Sequence, residues 1–161
     1  MRLWLVAAFC GLVGIAQADT LSGRVVAVHD GDTITVLDAN RTQHKIRLAG
    51  IDAPEIKQAF GSRSKQNLSN LVYNRQVTVN WQKYDRYERT VGVVLVDGRD
   101  VNLEQVRAGM AWWYRQYARN QSPADRRLYE AAENDARTAK RGLWVDANPV
   151  PPWEWRHRTK Y

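Results

Sequence analysis

Among its 161 residues the chain has one cysteine, two phenylalanines, two methionines and three histidines. The cysteine, Cys10, lies in an apolar leader, so everything after residue 18 is free of thiols. That excludes a disulfide frame, a zinc–thiolate cluster and a cysteine nucleophile in the mature chain. His29, His44 and His157 stand at no metal-ligand spacing and read as surface or structural residues. The apolar run at residues 3–16 is shorter than the ~20 residues that span a bilayer. It follows a lone Arg2 and ends in Ala16-Gln17-Ala18, the small-x-small pattern of a secretory cleavage site. A signal peptide over residues 1–18 is expected. The mature protein then starts at Asp19, in the periplasm or the medium, with no stable membrane association.

What is present is ordinary for a folded domain: 44% hydrophobic and 25% charged residues, far from the composition of disordered chains. The length suits one compact domain. Lysine and arginine outnumber aspartate and glutamate 24 to 17, and the formal charge of +7 falls only to +6 when Arg2 leaves with the leader. Such a balance favours a polyanionic partner, whether nucleic acid, a phosphorylated ligand or an anionic surface.

Period-two alternation of branched residues predicts strands around Val25 to Val28, Thr33 to Val36 and Lys45 to Leu48, joined by turns at Gly31 and at Asp38-Ala39-Asn40-Arg41. After Pro54, Phe60, Ser64, Leu68, Leu71 and Val72 fall at helical spacing, predicting a helix over residues 60–73. Strand alternation returns at Val77, Val79 and Trp81 and again over residues 90–96, ending in a hairpin turn at Asp97-Gly98. Asn102 is expected to cap a short helix that Gly109 ends. Ser122 and Pro123 open a last helix with an apolar stripe at Leu128, Ala131, Ala132, Ala136 and Ala139. Five short antiparallel strands, with a helix after the third and helices at the end, predict an α+β fold. Its centre is a closed five-stranded OB-type β-barrel carrying about three α-helices. The prolines at 149, 151 and 152 predict an extended strap over residues 149–161, pinned by its tryptophans.

Two segments carry paired acids. Asp30-Gly31-Asp32-Thr33 ends one strand, and Asp52-Ala53-Pro54-Glu55 follows another. Each alone reads as a turn. Together, if their strand ends are neighbours, they converge carboxylate and carbonyl oxygens as a hard cation requires. Arg47 alternates away from Ile46 and Leu48 towards the wet face of its strand, and Arg89 precedes the strand at Thr90. Planar guanidinium groups of this kind balance the charge of a five-coordinate phosphorane.

Asp30-Gly31-Asp32-Thr33, the stretch at residues 46–55, Asp85-Arg86-Tyr87-Glu88-Arg89 and the segment from Val101-Asn102 to Gly109, in that order, resemble the staphylococcal nuclease (thermonuclease) family. The likeness runs from about Leu21 to Trp144. It implies a nuclease OB-fold domain over residues 19–148, followed by a Pro/Trp-rich extension at 149–161 like that of many secreted bacterial members. It implies a calcium-dependent phosphodiesterase that cleaves DNA and RNA to 3′-phosphate ends. A monomer is expected, and because the site must reach around a backbone phosphate, single-stranded or breathing A·T-rich substrate should be favoured. By motif match, Arg47, Glu55 and Arg89 take the catalytic roles and Asp32, Asp52 and the Ala53 carbonyl hold Ca²⁺. Arg86, Tyr87, Tyr114 and Tyr117 line the substrate site. The sequence departs from the family in three places. Ala53 stands where Thr is frequent, Glu88 where Gly usually precedes the second arginine, and Arg115 at one of two pocket tyrosines, with Tyr114 substituting from next door.

Two rival readings belong to other classes. A catalytically silent OB module usually loses some of the acids or arginines, whereas all five key residues are present here. A lipid or polysaccharide binder leaves the paired acids without a reason. Trp112 and Trp113, beside Tyr114, are the tryptophans placed to contact substrate; the rest read as core.

Overall fold

A computed structural model describes residues 19–158. The expected signal peptide at residues 1–18 lies outside the described residues, as do residues 159–161 of the tail. No helix among the described residues is long and apolar enough to cross a membrane.

Strands β1 (Asp19–Val28), β2 (Thr33–Leu37) and β3 (Gln43–Leu48) form an antiparallel meander. The β2–β3 turn is built by the Asp38 carboxylate, which accepts from the backbone N–H groups of Asn40 and Thr42 at 2.9 and 2.8 Å. A two-residue strand β4 (Ile51–Asp52) and helix α1 (Gly61–Val72) follow. Then β5 (Gln76–Tyr84) pairs with β1, and β6 (Thr90–Val96) with β5. The ring closes where β6 meets β3, in register Ile46 to Thr90 and Leu48 to Gly92. This seam is parallel, not antiparallel as the sequence predicts. The reason is parity: five strands in a ring cannot all alternate in direction, so one contact has to be parallel.

Alternate residues fill the barrel. Val25, Ile34, Val36, Ile46, Leu48, Val79, Val94 and Val96 are buried, and burial in β6 alternates along its whole length. Helix α1 covers the barrel with Ser64, Leu68 and Val72, and starts at Gly61 after a left-handed Phe60, one residue later than its periodicity suggests. Strand β7 (Arg99–Asp100) leads into α2 (Val101–Arg107), whose N-cap is Asp100 rather than Asn102: the Asp100 side chain accepts from the Leu103 N–H at 3.0 Å. Asn102 is inside the helix and fully buried. Its side chain accepts from Val94 N–H and donates to the carbonyls of Ala49 and Gly92, tying α2 to the barrel rim.

Strand β8 (Trp112–Trp113) pairs with β4, and α3 (Pro123–Thr138) begins at Ser122 as its capping residues predict. The buried face of α3 is Tyr129, Ala132, Glu133 and Ala136, so the expected stripe is displaced and Leu128 is about half exposed. Polar tips with partners decide this: the Tyr129 hydroxyl donates to Asp100 at 2.8 Å, and Glu133 accepts from Trp113 N–H at 3.1 Å. Trp112 and Trp113 are buried, which corrects their placing as substrate contacts.

The tail is the main departure. Only its first residues are extended, because Pro152 opens a fourth helix, α4 (Pro152–Arg158). A proline has no N–H to lose in the first turn of a helix, and the Pro151 carbonyl accepts the first helical bonds from Glu154 and Trp155. Trp153 stacks face to face on Tyr114, with centroids 5.4 Å apart, and meets Trp112 edge-on at 5.5 Å.

Candidate active site

The β1–β2 turn and the loop after β4 meet at one end of the barrel. Gly31 lies against Ser64 and Ala53 so closely that no Cβ would fit. Its carbonyl accepts from Gln105 Nε2 at 2.7 Å, and the same nitrogen donates to the Ser64 carbonyl at 3.2 Å. Gln105 is fully buried on α2 and thus clamps the acidic turn to two helices. Gln105→Ala leaves buried carbonyls without a donor, at about 1–3 kcal/mol for each group. We expect a loss of about 3 kcal/mol in stability, measured as a lower urea midpoint.

The Asp32 carboxylate accepts from Ala53 N–H at 2.7 Å and from the Thr33 hydroxyl at 3.1 Å. Arg47 pairs across the ladder with Thr33 and so lies beside Asp32. Its Nη2 is 3.2 Å from Asp32 and 3.1 Å from Asp52, while Nη1 donates to the Leu48 carbonyl at 2.7 Å. Asp52 is held in β4 opposite Trp112 and is 1% exposed. Burial pushes the Asp32 carboxyl up to about 6, against the pull of Arg47 and with the help of Asp30. Burial likewise raises Asp52, opposed by Arg156 and Arg47. Two buried carboxylates held above their ordinary range are a site that favours a cation.

Glu55 is the wetter acid, with a 40% exposed side chain. Its backbone is fixed by Gln58, which is bonded to both the N–H and the carbonyl of Glu55, and by the close approach of Gly61 to that carbonyl. Gln58 also donates to the Val150 carbonyl at 2.6 Å, joining this loop to the tail. Asp30 takes a turn role, accepting from Asp32 N–H at 3.0 Å.

Asp32, Asp52, Ala53, Arg47 and Glu55 are thus brought together. Among the described residues no group of three or more His, Cys, Asp or Glu side chains converges as a ready-made metal cage. Two buried carboxylates and a neighbouring main chain fit a hard, oxygen-seeking cation that keeps several waters, and the absence of imidazole or thiolate disfavours softer metals.

Arg89 is one loop away. The parallel seam sets Arg47 opposite Val91, so Arg89, two residues earlier, shares the outward face of Arg47. Its Nε donates to Asp85 at 2.7 Å and its guanidinium lies over Tyr87, as does that of Arg86. Glu88 has φ 59°, the left-handed conformation that a glycine adopts most readily, yet the Asp85 carboxylate still organises the turn by accepting from Tyr87 N–H and Arg89 N–H. Tyr114 and Tyr117 meet edge-on at 5.0 Å, and Lys83 lies over Tyr117. Burial raises the Tyr114 hydroxyl pKa and the charge of Asp52 adds to it. Arg115 turns away to pair with the buried Glu133 at 2.7 Å and to cover Trp113, so its departure from tyrosine has a structural use.

One site residue has no counterpart in the sequence reading. Arg156 on α4 donates to both oxygens of Asp52, at 3.2 and 2.8 Å, and to Glu55 at 2.9 Å. The order Trp153-Glu154-Trp155-Arg156 resembles the ending of secreted members of the family, but nothing in it points across the 104 residues to Asp52.

A closed five-stranded barrel that gathers two buried carboxylates, a bridging guanidinium and a wet glutamate at one end defines the class, an OB-barrel protein with an acid–arginine centre. Residues 45–146 match the family described as Staphylococcal nuclease homologue. The chain is 50% identical over 139 residues to a protein of Escherichia coli O157:H7 called an uncharacterized endonuclease, covering 86% of each chain. A protein of Haemophilus influenzae with the same description is 44% identical, over 85% of this chain and 74% of its own. A micrococcal nuclease of Shigella flexneri is 41% identical, over 97% and 92% of the two chains. The chain belongs to the staphylococcal nuclease family.

Proposed function

We propose that the protein is a calcium-dependent nuclease that hydrolyses phosphodiester bonds of DNA and RNA, leaving 3′-phosphate ends. The observation that carries this reading is Arg47 bridging the buried Asp32 and Asp52 beside the half-exposed Glu55. The endonuclease and micrococcal nuclease relatives support the hydrolase class. Asp32, Asp52 and the Ala53 carbonyl would hold calcium, which when bound supplies positive charge against a phosphate oxygen. Glu55, reachable by water, accepts the proton of the attacking water. Arg47 and Arg89 balance the equatorial charge of the phosphorane by bidentate bonding. Arg86, Tyr87, Tyr114 and Tyr117 position the nucleotide through charge and ring contacts. The apolar leader at residues 3–16 and the Ala18/Asp19 site support export to the periplasm or medium.

Cleavage of single-stranded DNA is expected to stop on addition of a calcium-selective chelator and to return with excess calcium. Activity that survives chelation would refute the metal role. Salt-sensitive binding without cleavage under calcium would favour the silent module instead.

A further inference from the structure

We propose that α4 is a calcium-displaced latch, in which Arg156 occupies the carboxylates that the metal needs and holds the nuclease closed until calcium removes it. The inference rests on the calcium reading above.

Arg156 binds Asp52 with two nitrogens, one to each oxygen, and shares Nη1 with Glu55. Arg47 takes Asp52 Oδ1 as well. Both Asp52 oxygens therefore face a guanidinium, and a cation approaching Asp52 meets the like charge of Arg156 until that side chain lets go. The same guanidinium engages Glu55 Oε1, so the groups assigned to metal and to water are tied to one side chain. A charge-assisted, bidentate pair with a 1% exposed carboxylate is a strong example of its kind. The guanidinium supplies the positive charge that two buried acids require.

The latch is a separate element laid against the end of the barrel, not one of its strands. Helix α4 has seven residues, and the contacts that hold it include Arg156 on the acids, Trp153 on Tyr114 and Trp112, and the preceding Val150 carbonyl on Gln58. The first two points sit at the metal and at the tyrosines of the substrate site, so swinging α4 outward opens both together. Arg156 is 39% exposed on its side chain, which gives it a route to solvent.

The test is calorimetric titration of the chain from Asp19 to Tyr161 with calcium chloride, for wild type, Arg156→Met and Trp153→Ala. Apparent affinity is reduced by the fraction of molecules that are latched. Both substitutions should therefore tighten calcium binding, by about tenfold if nine-tenths of the wild type is latched. Trp153→Ala leaves every site charge in place, so it reports on the latch even if Arg156→Met folds poorly. In the wild type, calcium should also speed amide exchange across residues 152–158. Unchanged or weaker calcium binding in both variants, or α4 exchange that slows with calcium, overturns the latch while leaving the nuclease reading intact. Absence of calcium binding in all three proteins overturns the calcium reading, and the latch with it.

Discussion

Glu55→Gln is expected to lower turnover on single-stranded DNA by about 10²–10⁴-fold, the range of a lost general base. Glutamine keeps the length of the side chain and an oxygen for Arg156, but it cannot take a proton from water. The loop itself should survive, because Gln58 holds the Glu55 backbone rather than its carboxylate. The change should therefore fall on kcat, with the melting temperature and calcium-assisted nucleotide binding close to wild type. Near wild-type turnover in Glu55→Gln would move the base elsewhere. Asp30 would be tested first, since it adjoins Asp32.

Arg47→Lys should be comparably damaging and for a different reason. The guanidinium bridges Asp32 and Asp52 with one nitrogen and anchors to the Leu48 carbonyl with the other. An ammonium keeps the charge but not this fork, so it loses either the anchor or the phosphorane contact. Turnover should fall by about two decades or more, within the range seen when a charge-stabilising donor is lost. Nucleic-acid binding, which depends on charge, should fall far less. A steady-state series separating kcat from KM checks this, and equal losses in binding and turnover would contradict the assigned role.

The parts of the site that were legible in the sequence are those formed within short stretches. Asp32 and Arg47 lie at or beside strands whose alternation is strong, and Asp52 and Glu55 lie in the short Pro54 segment just after β3, so their segments, and the face of Arg47, could be placed. What escaped was decided at long range or in elements too short for a period. Strands β4 and β8 have two residues each and exist only because they pair with one another. Asp100 outcompetes Asn102 as a cap because Asn102 finds three buried backbone partners on the barrel. The face of α3 is set by where Tyr129 and Glu133 find partners, not by where the alanines lie. The tail prolines predict an extended strap, whereas Pro152 begins a helix.

If Arg47 and Arg89 act as proposed, the parallel seam between β3 and β6 also decides when the site can form. Ile46 and Thr90 meet across a long stretch of intervening chain, and contacts of that separation are slow to form because loop closure must come first. Arg47 sits on one lip of the seam and Arg89 just before the other. Until the ring shuts, the two arginines belong to separate pieces of chain. Under the proposed roles, a partly folded or newly made molecule would carry every required side chain and still lack the assembled site, so closure of the ring would itself be the step that arms it.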